Sequence, residues 1–205
     1  MRRSYFFVRH GQAIYQERGF DRSRYPPELD WPLSSFGEAQ AHALAPRLYP
    51  LGVERVVSSK LARARRTAEI LSTWGGAPYD HTWGALNEIH PTRLREGMAD
   101  VEQTRWSWMD GWRAARVVGR EVREGRGSPG WDSRLARERI DVVLGRLDAL
   151  REARIAVVGH GFWILLAALL ARGQVPFRFI ANCSVTRIDA DGAGRYRLVS
   201  FASVL

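Results

Sequence analysis

Residues 5–12 read Tyr5-Phe6-Phe7-Val8-Arg9-His10-Gly11-Gln12, four apolar or aromatic side chains running straight into a cation, an imidazole and a glycine. Aromatic and branched residues favour a pleated, buried conformation, so residues 5–8 read as a strand. Gly11 tolerates backbone angles closed to other residues and is read as the point where the chain turns sharply. His10 then stands at the carboxyl edge of a sheet, where open α/β proteins bind their ligands. A guanidinium beside an imidazole joins a planar fork of donors to a nucleophile that titrates near neutrality, a pairing suited to a doubly charged oxyanion.

The same pattern returns late in the chain. Ile155-Ala156-Val157-Val158 is a continuous apolar run, as in a parallel strand buried on both faces, and it leads into Gly159-His160-Gly161 and an apolar helix over 162–170. Between the two histidines the chain alternates. Ser35 and Glu38 stand at capping-box spacing before a helix whose Ala41, Leu44, Ala45 and Leu48 share a face, with a kink or early stop expected at Pro46 and an end at Pro50 and Gly52. A second strand is expected over 53–58, then a helix with Leu61, Ala64, Ala68 and Leu71 on one face that stops at Gly75-Gly76. Arg63 falls in the first turn of that helix, close to the sheet edge. Arg65 and Arg66, two and three positions on, cannot all face the same small ligand and are read as surface residues.

A third strand is expected over 82–86, leaving Asn87, Glu88 and His90 at its end before Pro91. Residues 90–131 read as an insertion, mostly helical over 100–123, with Trp106, Trp108, Trp112 and Trp131 packing it onto the body. Asp132 or Ser133 can cap a helix with the stripe Ile140, Val143, Leu144, Leu147 and Leu150, and 185–190 and 195–201 flank a hairpin signal at Asp191-Gly192. Alternating strands and helices predict an α/β fold, a three-layer α/β/α sandwich with a mainly parallel central sheet. With 205 residues and 45% hydrophobic content, one domain over 1–205 is expected.

Composition narrows the function classes. The single cysteine, Cys183, gives neither an internal disulfide nor a metal cluster, and no secretory signal or membrane span is readable, so a cytoplasmic protein is expected. The net charge of +9 comes almost wholly from arginine, since Lys60 is the only lysine, and it favours anionic partners. The arginines are interleaved with acids, as over 134–139, and form no basic block. Composition does not separate nucleic acid from phosphorylated small molecules as the anionic partner, but the interleaved spacing disfavours nucleic acid. Phosphorylated small molecules, with phosphoprotein as a variant, are the expected partners, and nucleic acid and membrane are not.

Arg9-His10, Arg63, Glu88 and His160 coincide at sheet-edge positions, and two histidines, two arginines and a carboxylate are what phosphoryl transfer without a metal requires. Here the sequence resembles the histidine phosphatase superfamily, also called phosphoglycerate mutase-like. The resemblance rests on Val8-Arg9-His10-Gly11-Gln12, residues 33–40 with Gly37, Ser58-Ser59-Lys60-Leu61-Ala62-Arg63-Ala64 with Thr67-Ala68, Leu86-Asn87-Glu88, Val158-Gly159-His160-Gly161 and Asn182-Cys183-Ser184-Val185-Thr186, in the family's order. It implies that His10 attacks phosphorus and forms a phosphohistidine, that Arg9, Arg63 and His160 hold the phosphoryl oxygens, and that Glu88 protonates the leaving oxygen. Glu17, Asp80 and Glu96 are rival acids. Gly11, Gln16 and Gly161 join the substrate-binding set, and neither a cofactor nor a metal is implied. His42 and His81 are read as structural or surface residues.

The chain departs from the family at three places. Gln16 stands where sugar phosphatases and mutases commonly carry asparagine, Phe162 replaces a second glycine after the late histidine, and Ile164 and Leu165 stand where an arginine is frequent. The expected activity is thus a metal-independent phosphomonoesterase. A mutase-type phosphotransferase stands second, and a noncatalytic phosphate-binding protein of the same fold third.

Overall fold

The opening apolar run forms β1 (Arg3–Arg9), in which Tyr5 and Phe7 enter one hydrophobic cluster and Phe6 and Val8 enter another on the opposite face. Strand side chains alternate sides, so a strand apolar at every position must be covered twice. The computed structural model describes residues 2–21, 30–89, 116, 120 and 133–205. Most of the expected insertion, its four tryptophans, His90, Glu96 and Asp132 lie outside the described residues.

After β1 come α1 (Ser35–Leu48), β2 (Arg55–Ser58), α2 (Ala62–Gly75) and β3 (Tyr79–Thr82). Then follow α3 (Ser133–Ala149), β4 (Arg154–Gly159), α4 (Gly161–Leu170), β5 (Val185–Ala190) and β6 (Tyr196–Ser203). The six strands form one mixed sheet in the order β3-β2-β4-β1-β5-β6. β1, β2, β3 and β4 are mutually parallel, and β5 runs antiparallel to both β1 and β6. Apolar residues of α1 and α2 cover the face carrying Phe6, Val56, Ala156 and Val158. Those of α3 and α4 cover the face carrying Tyr5, Val57, Ile155 and Val157. The expected three-layer α/β/α sandwich is what forms. No helix among the described residues is long and apolar enough to cross a membrane.

Several local expectations are corrected. The cap of α1 is Ser34, whose Oγ accepts from the Gly37 N–H at 3.0 Å, while Glu38 pairs with Arg66 of α2 at 2.6 Å. Ser34 is preferred because its buried hydroxyl also donates to Gln12, which ties the helix start to the end of β1. α1 runs through Pro46 to Leu48, where burial of Leu44, Ala45 and Leu48 offsets one missing helical hydrogen bond, and Pro50 and a left-handed Gly52 close the segment as expected. β3 covers 79–82 and not 82–86. Its ladder ends where β2 ends, with Ser58 opposite Thr82 and the Trp83 N–H donating to Ser58 O, and residues 84–86 coil into a 3-10 turn. The helix stop at Gly75-Gly76 and the hairpin at Asp191-Gly192 form as expected, with Gly76 in the left-handed region and a loop over 191–195.

Candidate active site

In the β1–β4 ladder Arg9 lies opposite Gly159, so the next residues, His10 and His160, leave the sheet side by side. The His10 N–H closes this end by donating to Gly159 O at 3.0 Å, and one strand over the Ser59 N–H donates to Val158 O at 3.0 Å. The carboxyl ends of three neighbouring parallel strands thus deliver His10, His160 and Ser59 to one place, as the general geometry of open α/β sheets dictates. The imidazoles are 2% and 0% exposed, with centroids 5.1 Å apart at 62°. Arg63, buried in the first turn of α2, bridges them: its Nε donates to His10 Nε2 at 3.1 Å and its Nη2 to His160 Nδ1 at 3.4 Å. Arg65 and Arg66 are exposed, as expected.

The partners assign the tautomers. His10 Nδ1 lies 2.6 Å from Gly11 O, and a carbonyl can only accept, so Nδ1 carries the proton and Nε2 the lone pair that meets Arg63. His160 is the reverse. Its Nδ1 accepts from Arg63, which leaves the proton on Nε2, 2.8 Å from Ser59 Oγ. Burial holds both histidines well below their ordinary 6.5, reinforced at His10 by Arg9 and Arg63, and at His160 by His10, Arg63 and Arg9. Both rings are therefore neutral near pH 7.

Glu88 follows the 3-10 turn Gly84–Leu86, and its Oε1 accepts from the Trp163 N–H at 3.3 Å and from its own neighbour Ile89 at 3.2 Å. Burial raises its pKa above the ordinary 4.5, opposed by the charges of Arg9 and Arg63 and by those two N–H donors. The two arginines that act on His10 thus act on Glu88 as well. Of the rival acids, Asp80 is tied to Arg55 at 2.5 Å, near the β3 edge of the sheet.

Arg9 donates from Nη1 to Ile180 O at 2.5 Å, while its buried Nε has no hydrogen-bond partner among the described residues. A Cβ at Gly161 would lie 3.5 Å from that Nε, so Gly161 borders Arg9 as an ordinary van der Waals neighbour. Gly11 plays a different part from the expected turn. Its φ is not positive; a Cβ there would come within 2.3 Å of Gly37 O, so glycine is required by close backbone approach to α1. Its N–H donates to Thr67 Oγ1 at 3.1 Å and its carbonyl takes His10 Nδ1, so both backbone groups are already engaged. Gln16 turns its Oε1 back to the Ala13 N–H at 2.9 Å and to Asn182 Nδ2 at 3.4 Å. His42 is exposed, and His81 stacks on Trp83, away from the His10–His160 pair.

Three supporting residues had no assigned role before the structure. Ser59 Oγ accepts from the His160 Nε2–H that the Arg63 contact leaves protonated. Thr67, which also donates to Arg63 O at 2.8 Å, links Gly11 to Arg63, and Asn182 Nδ2 donates to His10 O at 2.8 Å. All three lie inside the quoted family motifs, which was the available signal. Tyr15 over Arg63 (5.7 Å) and Phe179 over Arg9 (5.4 Å) place an aromatic ring on each arginine, for which no motif signal existed.

The profile of the "Histidine phosphatase superfamily (branch 1)" matches residues 5–203. A "Probable phosphoglycerate mutase" of Erwinia tasmaniensis is 30% identical over 195 residues, covering 90% of this chain and 83% of that protein. Among solved structures, one titled "Mycobacterial hydrolase 1" is 25% identical, with a TM-score of 0.70 and both chains wholly covered. A mycobacterial glucosyl-3-phosphoglycerate phosphatase, solved in complex with VO3, is 26% identical with a TM-score of 0.67, covering 98% of this chain and 100% of its own. A profile spanning nearly the whole sequence and relatives matched over most of their length lead to one family, and the chain belongs to the histidine phosphatase superfamily.

Proposed function

We propose that the protein is a cytoplasmic, metal-independent phosphomonoesterase that works through a phosphohistidine on His10, with residues 1–205 as one domain and 90–131 as its insertion. The observation that carries this reading is the His10 tautomer: a buried, neutral imidazole whose Nε2 lone pair faces the Arg63 guanidinium. An arriving phosphoryl group takes the Arg63 donor onto its own oxygens and leaves Nε2 free to attack. The Arg9 Nε–H, which has no hydrogen-bond partner among the described residues, supplies a further donor, and Gly161 keeps the space beside it open. His160 is neutral while the site holds only cations. A dianion reverses the local field and favours a proton on Nδ1, which then donates to a phosphoryl oxygen.

In the first step the Nε2–P bond forms, the P–O ester bond breaks, and the leaving oxygen takes the proton of Glu88. In the second step Glu88, now a carboxylate, takes a proton from water whose oxygen attacks phosphorus. The N–P bond then breaks, releasing inorganic phosphate. Arginines compensate charge here in place of a metal, so a chelator is expected to leave turnover unchanged.

Substrates are phosphorylated small molecules, in keeping with the glucosyl-3-phosphoglycerate phosphatase among the structural neighbours. Gln16 and the aromatic rings on Arg9 and Arg63 border the non-phosphate part. The test is acid-labile phosphate on the intact protein after brief reaction with p-nitrophenyl phosphate, mapped by mass spectrometry. Label on His10, absent from His10→Ala along with turnover, is expected; turnover by His10→Ala overturns the reading. The mutase reading stands second because relatives carry that name. Release of inorganic phosphate without a bisphosphate primer separates the two.

A further inference from the structure

We propose that Arg139, on α3, is a positioning residue that holds Glu88 in place for proton transfer. This rests on the reading of Glu88 as the acid. In the 3-10 turn before Glu88, the Leu86 N–H takes Trp83 O and the Asn87 N–H takes Gly84 O, so the carbonyls of Ala85 and Asn87 need donors from elsewhere. Arg139 supplies them. Its Nε and Nη2 donate to Ala85 O at 3.3 and 3.2 Å, its Nη2 also donates to Asn87 O, and the Trp163 indole N–H adds a bond to Ala85 O at 2.9 Å.

Asn87 O belongs to the peptide plane that leads into Glu88, so the guanidinium grips the backbone from which the carboxyl projects. Leu86, between the two held carbonyls, and Ile89, just beyond Glu88, are both buried in the α3–α4 core. Arg139 is half-buried among them, and a side chain with one donor cannot hold both carbonyls in the same way. A displacement of the acid by about 1 Å is enough to cost on the order of 10² in rate where its proton is needed.

The test uses a series of phosphomonoesters running from p-nitrophenyl through phenyl to a simple alkyl phosphate, with full-length Arg139→Met, Arg139→Lys, Glu88→Gln and Arg139→Met/Glu88→Gln. Arg139→Met is expected to lower kcat/KM about 10- to 100-fold on the least activated esters and less than about threefold on p-nitrophenyl phosphate. Lysine should recover part of the loss. On the Glu88→Gln background Arg139→Met should add nothing, because a residue acting through the acid has no effect once the acid is gone. A loss equal across the series, no loss, or full additivity with Glu88→Gln overturns the proposal. Should Arg139→Met not fold, Arg139→Lys decides by the same slope across the series. Absence of label on His10 of the wild type would overturn the proposed reaction, whereas a labelled wild type with a flat Arg139 series overturns only this role.

Discussion

The turn after β1 and the turn after β4 carry the same sequence pattern, an apolar strand, then His, then Gly, yet the structure gives the two imidazoles opposite tautomers. At His10 the carbonyl of the following residue, Gly11, accepts from Nδ1, and the lone pair sits on Nε2. After His160 the chain enters α4 directly, with His160 as its N-cap, and Ser59 takes the Nε2 proton instead. Arg63 donates to both rings, to Nε2 in one and Nδ1 in the other. Residue type alone makes the two histidines equivalent. Their hydrogen-bond partners suit one to the proposed role of nucleophile and the other to the proposed role of ligand for phosphoryl oxygen.

The largest expected effect breaks this equivalence outright. His10→Ala should lose turnover and label together, while His160→Ala should slow turnover by roughly 10²- to 10³-fold, the scale of one lost transition-state donor, and still accept label on His10. Equal residual rates, with label absent from both, would erase the distinction. The glycines give the next contrast, read in stability. Gly11→Ala drives a methyl into Gly37 O and should destabilise by about 1–3 kcal/mol or more, whereas Gly161→Ala meets only the Arg9 side chain at ordinary contact distance and should stay within about 0.5 kcal/mol. Chemical denaturation of the two variants side by side measures this.

The pH dependence sharpens the comparison further. His10 must be neutral to attack, and its depressed pKa keeps it so to well below pH 6.5; activity therefore falls only as pH drops through that lowered value. Glu88 must be protonated to assist departure, and its raised pKa means that activity on unactivated esters falls as pH rises through a value above 4.5. The expected profile of kcat/KM has an acid limb and an alkaline limb for alkyl esters, and the acid limb alone for p-nitrophenyl phosphate. An alkaline limb that persists in Glu88→Gln would assign it to another group. The smallest effect is expected from Ser59→Ala, which removes only the partner of His160 Nε2 and should reduce kcat/KM by roughly two- to tenfold, the scale of one net hydrogen bond. An unchanged rate would free His160 from Ser59.

Much of this was legible before any coordinates. The buried strands β1 and β4, each covered on both faces, and the glycine stop after α2 follow from short-range rules, and they came out as expected. The errors lie where a local signal met a tertiary partner. Ser35 and Glu38 have capping-box spacing, but Ser34 wins because Gln12 holds it. Residues 82–86 look like a strand, but β2 has no edge left to pair beyond Ser58. Gly11 carries the local signal of a turn, but what requires glycine there is contact with Gly37, far away in sequence. Nothing along the chain distinguishes Arg139 from its neighbouring arginines, because the backbone carbonyls it holds carry no side-chain signature.

By itself the amino-acid sequence determined which segments are apolar enough to be buried on both faces, where glycine and proline interrupt them, and which imidazoles, guanidiniums and carboxyl group stand at strand or helix ends. These are properties of the neighbouring few residues. Tertiary structure alone decided that Arg9 stands opposite Gly159, and with that register which nitrogen of each histidine keeps its proton and which donors surround Glu88. Strand register and hydrogen-bond partnership are relations between distant segments, set by packing two layers of helices on one sheet, and no window along the chain contains them.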